Sequence, residues 1–266
     1  MIRHRTETGF TLIELAVVIA IVGLLLGAVL LPLRTQVELR QVRETEKQLA
    51  DIKESLYGYA MANGYMPCPD VNGNGLEALH PAPPTSSNDG CQGGVYEGFV
   101  PWQTLSVAPA DPWGNRYLYR VDKQFTRRSG DPTASAPGCV PPASCTLELG
   151  DTGNISVKGR DPKTHADVDL TTTALATVLS HGANGYGATG VDGTPHALPP
   201  VLNVDETENT DGDRVYRSRV RSPESVGCSD PPPATIPTSF CEYDDIVVWV
   251  SPYILSNRLV VSGQLP

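Results

Sequence analysis

Hydrophobic and polar positions divide the chain into three stretches. From Phe10 to Leu33 the residues are almost all apolar, and Glu14 carries the only charge. As a helix that run spans about 36 Å, enough to cross a bilayer core of about 30 Å. Over residues 34–63 the pattern turns periodic. Val42, Leu49 and Leu56 recur every heptad, Ile52 and Tyr59 fill the seam, and Arg40, Arg43, Glu44, Lys47, Asp51 and Lys53 surround it. That spacing predicts an amphipathic helix whose stripe is a coiled-coil seam or, more in keeping with the domain that follows, a face laid on a sheet. Asn63-Gly64 supplies its stop signal.

Beyond Gly64 the apolar runs are short and turns are dense. Pro67, Pro69, Pro81, Pro83 and Pro84 break the segment 65–115 into loop, pinned by apolar anchors between Phe99 and Leu105. Asp111-Pro112-Trp113-Gly114-Asn115 reads as a tight turn opening a strand over residues 116–121, with Tyr117, Tyr119 and Val121 on one face. A small hairpin is expected from residues 146–149 and 155–158. Residues 174–180 predict a strand or short helix, 214–220 and 245–251 strands, and 258–262 a last short strand. The fold class is α+β: a long N-terminal helix, half membrane-spanning and half amphipathic, packed on a small mainly antiparallel sheet with long disulfide-stapled loops. The expected organisation is a short basic stretch at 1–9, a membrane-spanning helix at 10–33, an amphipathic helix at 34–63 and a globular domain at 64–266.

The junction before the apolar run changes the picture. A short leader with Arg3, His4 and Arg5 precedes Gly9, Phe10, the run Thr11-Leu12-Ile13, and Glu14. This arrangement resembles the class III signal of type IV prepilins and type II secretion pseudopilins. The resemblance implies that a membrane-embedded prepilin peptidase cuts between Gly9 and Phe10 and methylates the new amino terminus. The physics agrees. An acid inside a lipid-spanning helix costs up to roughly 3 kcal/mol and wants a partner. The freed Phe10 amine would sit one turn before Glu14 on the same face. The pair can close within one chain or between neighbours. Asp111-Pro112-Trp113-Gly114-Asn115 with Tyr117 and Tyr119 also resembles the turn and strand of major type II pseudopilins. The strand leading into Ser180-His181-Gly182-Ala183-Asn184-Gly185 looks similar to that family as well.

Composition adds compartment and charge. The formal net charge of −10 disfavours nucleic acid as a partner. All six cysteines lie beyond the apolar run. An even number there fits disulfides in an oxidising compartment, and the basic leader places the bulk of the chain in the periplasm. Pairing by proximity gives Cys68–Cys91, Cys139–Cys145 and Cys228–Cys241, one choice among fifteen connectivities.

Candidate chemistry is sparse. Asp70, Asn72 and Asn74, followed by Gly75, fit the first half of a calcium loop, but Pro81 stands where the closing Glu belongs. The loop is therefore either a Ca2+ site or a solvated Asx-rich turn. The family resemblance points to calcium in the C-terminal region. The acidic residues there, Asp205, Glu206, Glu208, Asp211 and Asp213, match no ligand pattern and read as a solvated loop. Ser180 and His181 are adjacent, which points their side chains apart. Arg214, Arg217, Arg219 and Arg221 around Tyr216 read as a salt-bridged strand rather than a nucleic-acid surface.

Together these observations predict a non-enzymatic, pilin-like structural subunit of a type IV pilus or type II secretion filament. Its size favours a minor pilin or pseudopilin. It would be a single-pass protein of the bacterial inner membrane with a cytoplasmic N-terminus. Its implied partners are prepilin peptidase, other pilin or pseudopilin subunits, the inner-membrane assembly machinery and, before assembly, membrane lipid. The alternatives are a surface-binding adhesin or DNA-uptake tip on a pilin anchor and, behind these, a membrane-tethered enzyme.

Overall fold

A computed structural model describes residues 11–79, 90–126, 150–223, 225, 227–232 and 239–263, without the side chains of 25–35. It resolves into two compact units, Met1–Arg43 and Glu44–Pro266. One helix, α1 (Leu12–Asn63), runs through both. In the first unit the apolar side chains between Leu12 and Leu24 are largely open, Leu12 being 90% exposed, Ile13 73% and Leu24 75%, whereas Val42 near its end is buried. Among the described residues no helix is long and apolar enough to cross a membrane. The expected span 10–33 includes Phe10 and side chains that lie outside the described residues.

The second unit is organised around the C-terminal part of α1. Leu49, Ile52, Leu56 and Ala60 are fully buried at the spacing of one helical face. The helix ends where expected, with Gly64 at φ 79° and its amide returned to the Ala60 carbonyl at 2.8 Å. This face lies on a four-stranded antiparallel sheet, β1 (Glu97–Phe99), β2 (Leu118–Val121), β5 (Ala176–Ser180) and β7 (Ile246–Val250), in the order β1-β2-β5-β7. Tyr119, Val121, Ala176, Val178 and Val250 meet the helix, together with Val100 and Leu105, the latter closing the short helix α2 (Trp102–Leu105).

The opposite face of the same sheet is also covered. Leu118, Leu179, Val247 and Trp249 alternate with the helix-facing set and pack with Ile155, Val157, Ala174 and Tyr216. Those come from or border a second sheet of β3 (Ile155–Arg160), β4 (Asp167–Ala174) and β6 (Val215–Arg217), ordered β4-β3-β6. The result is helix, sheet, sheet, which explains why β5 is buried at every position.

The strand expected at 155–158 is present within β3, while 146–149, its expected hairpin partner, lies outside the described residues. The two neighbours of β3 are β4, antiparallel, and β6, parallel. The second sheet itself was not anticipated. Residues 258–262 are not a strand: Pro252–Val261 form a helix, α4, with proline in its first turn and buried Pro252, Leu255 and Leu259 at helical spacing. The helix is fastened to α1 by a bidentate Arg258–Glu54 pair at 2.6 and 2.9 Å, and by the Ser251 amide, which donates to the Tyr57 hydroxyl at 3.0 Å.

The disulfides Cys68–Cys91 and Cys228–Cys241 are formed, as sequential pairing predicts. Cys139 and Cys145 lie outside the described residues.

Candidate functional site

At the start of α1, Thr11 and Glu14 form a reciprocal cap. The Glu14 carboxylate accepts from the Thr11 amide at 2.9 Å and the Thr11 hydroxyl at 2.8 Å, while Thr11 Oγ1 accepts from the Glu14 amide at 3.3 Å. This is a capping box, and its signature, threonine followed three residues later by glutamate, is plain in the sequence. Glu14 is thus exposed and committed to its own helix end. Gly9 and Phe10, the proposed cleavage pair, lie outside the described residues.

The Asp70 loop closes on itself. Asp70 is buried, and its carboxylate accepts from the amides of Asn72, Gly73, Asn74 and Gly75 at 2.6–3.3 Å. Asn74 Oδ1 accepts from the Leu76 amide. Four backbone donors surround one negative charge, so the turn is an anion held by amides, with Asp70 and Asn74 oxygens already in use. Arg116 reinforces it by donating to the Gly73 carbonyl at 2.8 Å.

The acidic segment after residue 204 is not a solvated loop throughout. Val204–Glu208 form a short helix, α3, capped by Asn203, and Asp205 and Glu206 are both fully buried. They face different surroundings. Asp205 is ringed by Arg160, Arg217 and Arg219, with contacts of 2.6, 3.1 and 2.6 Å. This realises the salt-bridged reading of the arginine cluster. Glu206 instead accepts from neutral donors: Asn184 Nδ2 at 2.9 Å, Asn203 Nδ2 at 2.7 Å and the Asp244 amide at 3.1 Å.

Glu206 meets two further buried carboxylates, Asp244 and Asp245, with one oxygen from each residue inside 4.8 Å of the others. The loop after β5 wraps this cluster, the amides of Ala183 and Asn184 donating to Asp244 at 2.7 and 2.9 Å. Gly182, at φ 61°, is required there, because a Cβ would stand 2.4 Å from the Asp244 carboxylate. Asp245 Oδ2 accepts from Asn209 at 2.7 Å, whereas its Oδ1 is buried without a hydrogen-bond partner. Burial pushes the Glu206 carboxyl up to about 7, helped by the charge on Asp244, and holds Asp245 well above the usual carboxylate range.

Three converging carboxylate oxygens are a donor set of the kind that could hold a hard divalent cation. Sequence reading missed Asp244, Asp245 and the role of Glu206. Asp244-Asp245 stands directly before the strongest strand signal, which was the available clue.

No catalytic arrangement forms around Ser180. Its hydroxyl donates to Asp111 at 2.7 Å rather than to His181, whose Nδ1 faces Asp245 at 3.7 Å.

Comparisons with known proteins agree with one another. Residues 4–30 match the family described as the prokaryotic N-terminal methylation motif, and residues 33–128 match type II secretion system (T2SS), protein G. The chain is 31% identical over 119 residues to the type II secretion system core protein G of Vibrio cholerae, covering 45% of this chain and 74% of that one. It is 30% identical over 123 residues to the protein of the same name from Pseudomonas aeruginosa, covering 44% and 75%. The Aeromonas hydrophila protein is 30% identical over 128 residues, covering 46% and 79%. No solved structure matched.

Proposed function

The chain belongs to the type II secretion system protein G family, and from that premise we propose that it is a pilin-like structural subunit of a type II secretion filament. The observation that carries the reading is the exposure of α1 in the first unit. Leu12, Ile13, Leu15, Ile19 and Leu24 are all at least half exposed along one continuous helix. Apolar surface on that scale needs a partner. Before assembly the partner is membrane lipid; afterwards it is the same helix of neighbouring subunits. Prepilin peptidase cuts between Gly9 and Phe10, leaving the apolar helix with the mature protein and the globular unit in the periplasm.

Glu14 works in both settings. Capped by Thr11, it is a helix-end carboxylate; once the leader is removed, it is the acid that a neighbour's Phe10 amine can meet. A buried ion pair of this kind fixes register more surely than it adds stability. The test is Glu14→Ala expressed in cells that build filaments. The variant is expected in the inner membrane and absent from sheared filaments. Incorporation at the wild-type level would contradict the pairing role.

We further propose that Glu206, Asp244 and Asp245 hold Ca2+. The ion would bring two positive charges to three buried carboxylates that are otherwise matched by neutral donors, and would tie α3 to the start of β7 and the loop after β5. Its role is to stiffen the globular unit.

A further inference from the structure

The Asp205 arginine ring shows how this domain settles a buried acid when no ion is needed: it surrounds the acid with guanidinium groups. Asp245 is settled differently. One of its oxygens takes the Asn209 amide, and the other, Oδ1, has no hydrogen-bond partner. Opposite it stands His181, 3% exposed, whose Nδ1 is also buried and unpartnered, 3.7 Å away. Two unmet polar atoms facing each other at that distance are an unclosed hydrogen bond.

The imidazole has little freedom to go elsewhere. A Cβ on Gly187 would lie 3.6 Å from its Cε1, so the ring rests against that glycine. Its carbonyl accepts from the Gly185 amide at 3.1 Å. The preceding residue, Ser180, is tied to Asp111, itself locked into the turn before β2 by the Trp113 and Asn115 amides. The backbone that carries the ring is therefore held by the scaffold.

We propose that His181 is a positioning residue for the cation site: its Nδ1–H closes on Asp245 Oδ1 when the ion binds, so that Asn209 and His181 grip the two oxygens and leave a lone pair directed at the metal. This rests on the cation reading of Glu206, Asp244 and Asp245. His181 is not itself counted among the ligands, since its nitrogen lies outside the group of converging oxygens. The arrangement is that of an outer imidazole orienting a ligating carboxylate. A neutral imidazole suits the task, because it adds a donor without adding a charge that would oppose the ion.

The experiment uses the full chain purified in detergent, stripped with chelator and titrated with CaCl2 by calorimetry. Wild type is expected to bind. His181→Leu should weaken calcium affinity about 10- to 100-fold while leaving the metal-free melting temperature unchanged or raised. His181→Asn, whose amide N–H falls near the Nδ1 position, should recover most of the lost affinity. A leucine variant that binds like wild type, or an asparagine variant as weak as leucine, overturns the assignment alone. Absence of binding by wild type overturns the cation reading and this assignment together. Nitrogen NMR of the His181 ring gives a check free of any variant: the calcium-loaded protein should carry its proton on Nδ1, and a proton on Nε2 would overturn the proposal.

Discussion

Along α1, Leu12, Ile13 and Leu24 stand open, while Leu49, Ile52 and Leu56 are sealed. The two halves share a backbone conformation and differ in where their partners come from. The second half brings its partners within the chain, from β2, β5, β7 and α4. The first half carries a comparable load of apolar side chains and draws its partners from outside the chain. Carboxylates make the same contrast on a smaller scale. Asp70 is satisfied by amides within five residues of itself, whereas Glu206, Asp244 and Asp245 bring three acids together in one buried place. In both cases the region left uncompensated within the chain is the one proposed to bind something else.

The contrast breaks most visibly in the sealed core. Leu56→Ala in the detergent-solubilised chain should cost about 2–5 kcal/mol of unfolding free energy, because it opens a cavity there. Chemical denaturation followed by circular dichroism measures it; a loss near zero would show that the buried half of α1 is not holding the domain.

The acidic cluster comes next in size. The Glu206 carboxyl is raised from 4.5 to about 7, chiefly by burial. A raised acid binds its proton more tightly folded than unfolded, so its stabilisation is whole below pH 4.5 and is lost as pH climbs through 7. Metal-free wild type should therefore lose stability relative to Glu206→Gln across that window, by up to about 3 kcal/mol, and level off above it. Saturating calcium should abolish that loss in wild type and stabilise it more than Glu206→Gln. Thermal melts at matched pH, with chelator or calcium, decide it; a pH-independent gap would mean that Glu206 is not held in that environment.

Asp70→Asn tests the self-contained counterpart. Loss of the charge that four amides surround should cost about 2 kcal/mol, equally with calcium and with chelator. A cost that appears only in calcium would support the cation reading of that loop. The smallest effect belongs to the open half of α1: Val17→Ala in detergent should shift stability by no more than about 0.5 kcal/mol, while its consequence, if any, appears in filament yield.

Where the sequence was legible, the determinants were local or periodic. Leu49, Ile52 and Leu56 announced the buried face of α1 by spacing, and Tyr119 and Val121 announced β2 by alternation. Asn63-Gly64 marked the helix end by its own backbone preference. The acidic cluster was not legible, since Glu206 lies far along the chain from Asp244 and Asp245, and it is the pairing of β5 with β7 that brings the His181 loop beside the aspartates. Asp205 and Glu206 illustrate the limit. They are adjacent, chemically alike and both buried, yet one faces three arginines and the other two carboxylates, a distinction only the packing of the second sheet creates. The Asp70 turn shows the reverse. Its alternating oxygens suited a cation by pattern, but the same short spacing lets one carboxylate reach four neighbouring amides.

The central claim is that the open helix belongs to a processed filament subunit, and the mass of the mature protein tests it most directly. Protein extracted from the membranes of cells with an active prepilin peptidase should begin at Phe10 and carry one methyl group on its amine. A chain that retains residues 1–9, or that begins at any other position, would contradict the account.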